Sequence, residues 1–201
     1  KKLDLHVFIN QKKLLELNVS DNLIDRFILN NSILSKLNTI DLSNNLFLEE
    51  FETNNLNLIY LNLNQCKNLR HSKSLKEIRS LEKILIDSAS KSLLTNINLL
   101  QYENLIQIDL KYNNLTLLNQ FAFIKLSQKL KRINLRGSLG LLKLNSTSTF
   151  SNLTHLELSN SFELNINETF FRNSSKLVML ILRRMRLTSE ILKKSFKFKI
   201  K

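Results

Sequence analysis

"LNTIDLSNNLF", Leu37 to Phe47, decides how this chain is read. Its aliphatic residues stand at positions 1, 4 and 6 (Leu37, Ile40, Leu42), with Asn45 at position 9 and Leu46–Phe47 after it. That spacing is neither the 3.6-residue period of a helix nor a strict alternation. It recurs, with substitutions, along nearly the whole chain. Copies open at Leu14, Leu37, Leu58, Leu81, Leu105, Leu130, Leu153 and Leu177, at intervals of 23, 21, 23, 24, 25, 23 and 24 residues. Self-similarity at a fixed period of this size is the mark of a stacked repeat protein. The expectation is one array over residues 1–201, with residues 1–13 a partial copy, no second domain and no recognisable cap. The C-terminal "KSFKFKIK" alternates Phe196, Phe198 and Ile200 with lysine, as a half-buried strand or the start of a further copy would.

The pattern L-x-x-L-x-L-x-x-N/C-x-L resembles the leucine-rich repeat family. Apolar residues in the second half of the copies, Leu118, Phe123 and Leu126 in one and Ile166, Phe170 and Phe171 in another, resemble its extracellular subclass, found in Toll-like receptor and Slit-like ectodomains. The resemblance implies an α/β repeat solenoid: a horseshoe arc with a concave parallel sheet and an irregular, short-turn convex side. In that reading residues 3 to 7 of each copy form a short strand, and positions 4 and 6 point inward. The turn after the strand leaves backbone groups without strand partners, and an inward amide at position 9 can satisfy them. Asn22, Asn45 and Asn113 stand at that position, with Cys66 as the family's small alternative. Ala89 and Met185 cannot do the same work, so looser turns are expected there. Many such arrays end in cysteine-bearing caps, and Cys66 is this chain's only cysteine. An interior piece of a longer protein, or an array capped in an unorthodox way, is therefore expected.

Composition bounds the partners. The formal net charge is +13, which admits nucleic acid, an anionic membrane or an acidic protein. A skew toward Lys, Asn, Ile and Leu, with no Pro or Trp, supplies lysines without any ligand requiring them. No apolar run approaches the roughly 20 residues of a membrane helix, so no membrane insertion by this segment is expected.

Catalysis, metals and cofactors find no constellation. His6, His71 and His155 are dispersed, and Gly137 and Gly140 form no phosphate loop. His155, Glu157 and Ser159 share the outward side of one strand. Neighbours two apart on a strand are about 6.5–7 Å apart at Cα, whereas a nucleophile–base pair needs about 3 Å. The chain reads as no enzyme.

Sequons stand at Asn18, Asn30, Asn114, Asn145, Asn152, Asn167 and Asn173. All but Asn18, which sits on a strand, are candidates for glycosylation. Stacked strands offer a broad face for binding. Its first five copies carry Glu16, Asp21, Asp41, Glu82, Asp87 and Asp109 against Lys83 and Lys111. The last three carry Lys131, Arg132, Arg136, Arg183 and Arg184 against Glu157. The ligand-binding candidates are Tyr60, Tyr112, Lys131, Arg132, Arg136, His155, Arg183 and Arg184, since Tyr and Arg dominate interface energy. No continuous basic stripe with stacking aromatics is present, so nucleic acid is disfavoured.

The expected partner is a protein ligand with matching acidic and basic patches. By resemblance, the function is a non-catalytic binding scaffold in a receptor ectodomain or secreted glycoprotein of signal transduction, extracellular or at the cell surface. The alternative is a cytoplasmic adaptor or substrate-recruitment module of the same family.

Overall fold

A computed structural model describes residues 3–30, 33–90, 93–94, 97, 99–117, 128–139, 150–161, 171 and 174–185. Each copy of the pattern is one coil, and each coil lays down one three-residue strand: β1 (Glu16–Asn18), β3 (Thr39–Asp41), β5 (Tyr60–Asn62), β6 (Lys83–Leu85), β7 (Gln107–Asp109), β8 (Arg132–Asn134), β9 (His155–Glu157) and β10 (Met179–Ile181). They pair in parallel, in chain order, as one eight-stranded sheet. The register is constant: Leu17, Ile40, Leu61, Ile84, Ile108, Ile133, Leu156 and Leu180 align as a single row.

The core lies beneath that row. Leu37, Ile40 and Leu42 are fully buried, as are Leu58 and Leu61 in the next coil and Leu81, Ile84 and Ile86 in the one after. Each such side chain contributes about 1.5–3 kcal/mol by leaving water. At the amino end, the 3-10 turn Leu5–Phe8 buries Leu5, and Leu3 and Phe8 pack against the same core.

The return side differs from the expectation. Strands β2 (Arg26–Leu29) and β4 (Glu50–Thr53) form a second parallel ladder, extended by a bridge from Glu50 to His71. "RFIL" and "EFET" alternate, so Phe27, Leu29, Phe51 and Thr53 point inward. The Phe27 and Phe51 rings stack 5.9 Å apart. Elsewhere the described return segments make 3-10 turns at Lys73–Lys76, Leu99–Gln101 and Leu115–Leu117. α-Helical geometry among the described residues is confined to Leu93 and Leu94.

The molecule is therefore an all-parallel β-solenoid, and the leucine-rich repeat horseshoe of α/β class is corrected. The described return segments hold no helix beyond Leu93 and Leu94, and where the return residues alternate they pair as strands instead. The roles that rested on that family, receptor ectodomain or intracellular adaptor, lose their basis with it. Leu118, Phe123, Leu126, Ile166, Phe170 and the C-terminal alternation lie outside the described residues.

Candidate functional site: the strand face

The strand face is held by a backbone device at position 8. Asp21, Asn44, Gln65, Ser88, Tyr112, Gly137, Asn160 and Arg184 occupy that position in successive coils, and all have φ between 53° and 65°. This left-handed conformation costs about 1 kcal/mol for a residue other than Gly, Asn or Asp. It turns the N–H along the stack, where it donates to the position-7 carbonyl of the next coil. Asp21 N–H reaches Ser43 O, Asn44 reaches Asn64, Gln65 reaches Asp87, and the series continues to Asn160 on Arg183.

Position 9 faces inward. Asn45 is fully buried; its Nδ2 donates to Val19 O (3.0 Å) and Leu42 O (2.8 Å), and its Oδ1 accepts from Ile24 N–H. Cys66 Sγ donates to Leu42 O, and burial pushes its thiol up to about 12. Asn113 Nδ2 donates to Ile86 O (2.6 Å) and its Oδ1 accepts Ala89 N–H (2.7 Å). The turn at Ala89 is thus closed by the amide of the following coil. Ser138 and Ser161 donate to Leu110 O and Leu135 O. Asn22 is exposed and bonds only its own turn, at Val19 O and Ser20 O. Met185 packs partly buried against the core.

Position 5 has a role the sequence reading missed. Asn18, Asp41, Asn62, Asp109 and Asn134 each accept, through Oδ1, the N–H of position 7 in their own coil. These Asx turns end the strands. The recurrence of Asn or Asp at position 5 was the available signal. It changes the electrostatics of the face. Asp41 also takes Asn62 Nδ2 and Ser43 Oγ, and Asp109 takes Asn134 Nδ2. Asp87 accepts Gln65 Nε2 (2.7 Å) and Ser88 Oγ. Lys111 Nζ lies 3.9 Å from Asp87 and 3.7 Å from Asp109. Burial raises the Asp109 carboxyl above its ordinary range, against the opposing pull of the Lys111 N–H and the Lys111 charge. The carboxylates at the centre of the acidic half are thus tied into the fold.

The basic end is different. Lys131, Arg132, Arg136, Arg183 and Arg184 are exposed, and none makes an ion pair among the described residues. Tyr112 lies beside them, with the Arg136 guanidinium 5.7 Å from its ring centroid. Gly137 sits under that ring: a Cβ there would come 2.5 Å from Tyr112 Cδ1. Tyr60 stays apart, half-buried in the third coil, its hydroxyl pushed up by burial and then by the Asp41 charge. His155 is half-buried with Nδ1 2.9 Å from Thr154 Oγ1. Ser159, 2% exposed, accepts Arg183 N–H. Further cations of the chain, Lys67, Lys73, Lys76 and Arg79, stand exposed on the return of the third coil.

Of the sequons, Asn18 on β1, Asn30 and Asn114 are exposed. Asn152 is half-buried, donating to Gln128 O and accepting Lys176 Nζ. Asn145, Asn167 and Asn173 lie outside the described residues. Among the described residues no cluster of ligating side chains suited to a metal forms, and no helix is long and apolar enough to cross a membrane.

No family model matches this chain, and no curated protein does. Among solved structures, the chain is similar to one in the structure of the Toll–Spatzle complex, a molecular hub in Drosophila development and innate immunity. The match has a TM-score of 0.62 at 14% identity and covers 97% of this chain. At that identity the likeness is one of fold, and this chain spans 30% of the length of the matched one.

Proposed function

We propose that this chain is a non-catalytic β-solenoid that binds a protein partner on its strand face. The observation that carries this reading is the constant register of eight parallel strands, which presents side chains at fixed spacing over about 35 Å. Side chains held by a rigid backbone lose little entropy on binding, so contacts to them yield more affinity than contacts to loops. The complex in which the similar chain was solved supports a protein as the partner. An extracellular or cell-surface location is part of the proposal, supported by the exposed sequons Asn30 and Asn114. A glycosidase-sensitive mobility shift that Asn30→Gln and Asn114→Gln abolish is expected on secretion; a secreted, folded product without any shift would leave the cytoplasm.

Site-specific photocrosslinking tests the face itself. A benzophenone side chain replacing Gln107, on β7, should capture one discrete protein from the native source, whereas the same group replacing exposed Lys67 on the return side should not. Equal capture from both sides, or capture from Lys67 alone, would overturn the assignment.

A further inference from the structure

We infer that the basic end of the strand face takes an acidic polypeptide segment in extended conformation. The inference rests on the protein-binding reading above and adds the partner's chemistry. Its ground is the asymmetry of the face. Asp41, Asp87 and Asp109 are occupied by backbone and side-chain donors or by Lys111. Arg132, Arg136 and Arg183, with Lys131 and Arg184 beside them, have no carboxylate in ion-pair contact among the described residues. Like charges within one coil, and across the two rungs from Arg136 to Arg183, repel, and a partner of opposite sign relieves that repulsion on binding.

Spacing selects the conformation of the partner. Arg132 and Arg136 stand at positions 3 and 7 of one coil, four residues and at most about 13 Å apart. Arg136 and Arg183 stand two rungs apart, about 10 Å. An extended segment projects alternate side chains to one side, so its residues i and i+4 repeat at about 13 Å. A helix repeats one face at i+7, about 10.5 Å along its axis, which suits Arg136 and Arg183 but not the longer pair Arg132 and Arg136. Guanidinium groups suit this work, because each offers a planar fork to one carboxylate.

Nucleic acid fits less well. Among the described residues, the exposed aromatic beside these cations, Tyr112, has Gly137 against its ring and Arg136 near it, which leaves little face for a base to stack on. Buried Ser159 interrupts the row of position-7 cations between Arg136 and Arg183, so no unbroken track for phosphates is formed.

The test uses the full chain and a fluorescein-labelled peptide of about ten residues alternating Glu and Ser, read by anisotropy at low salt. Saturable binding is expected. It should weaken at least tenfold in the triple variant Arg132→Glu, Arg136→Glu, Arg183→Glu, and change less than twofold in Lys67→Glu or Lys83→Glu. A triple Arg→Gln variant replaces the reversal should the latter not fold, as judged by circular dichroism. No saturable binding, or equal loss from Lys67→Glu, overturns the inference, as does tighter binding of an oligothymidylate of equal charge. Should the peptide fail while a crosslinker at Gln107 still captures its protein, the acidic specificity falls and the binding face stands. Loss of both removes the two together.

Discussion

The two sides of the solenoid obey different rules. On the strand side every coil repeats the same backbone: a three-residue strand, then a left-handed residue, whether that residue is Asn44, Gln65, Tyr112 or Arg184. On the return side, among the described residues, the first two coils pair as β2 and β4, the third contributes a bridge at His71 and then a 3-10 turn, and the fourth and fifth make 3-10 turns. The difference teaches where uniformity comes from. On the strand side the N–H groups find carbonyls of the coils before and after, so a coil that deviates strands polar groups on two neighbours. On the return side polar groups are met one by one by particular side chains of an adjoining coil. Thr53 N–H is met by Ser74 Oγ, Tyr102 OH reaches Leu75 O, and the backbone follows whichever side chains are present.

The comparison breaks first at Phe51. Phe51→Ala removes a fully buried ring stacked on Phe27 and should cost about 3–5 kcal/mol in urea unfolding. Hydrogen exchange should rise in β2 and β4 more than in β6 and β7. An equal rise along the whole strand sheet would show that the return side is not locally determined.

Asn113→Ala probes the opposite side at a smaller scale. It leaves Ile86 O and the Ala89 N–H without their partner in the interior, an expected loss of about 2–3 kcal/mol. The effect should reach back into the fourth coil, because the amide serves that coil as much as its own. A loss confined to the fifth coil would contradict coupling through position 9.

The smallest effect, and the sharpest, is expected at Gly137. Gly137→Ala should cost about 1–2 kcal/mol, from the left-handed backbone and from the Cβ that meets Tyr112. In a Tyr112→Ala background the steric part should vanish while the backbone part remains. A double-mutant cycle with no coupling between the two would show that the ring does not rest on the glycine.

Much of this was legible in the amino-acid sequence, and the failures are instructive. Leu37, Ile40 and Leu42 announced their burial because hydrophobicity is a property of each residue, and the interval of the copies announced the winding. The second ladder was equally written in "RFIL" and "EFET", whose alternation is plain once sought; family resemblance drew attention to the wrong architecture. Asp41 and Asp109 were counted as charges of an open face, yet they close their own turns. A carboxylate's sign is visible in sequence, while its hydrogen-bond partners belong to the fold.

What the sequence by itself determined is the coil: its length, its inward aliphatic row and the places for an amide at Asn45 and Asn113. Each follows from the cost of leaving apolar surface in water or polar groups unpaired, which is fixed residue by residue. Only the tertiary structure decided the left-handed backbone at Gln65 and Tyr112, since neither side chain asks for it and the carbonyl of the neighbouring coil imposes it. The tertiary structure also decided which charges remain open to a partner, because neutralisation depends on which donors the stacking brings within reach.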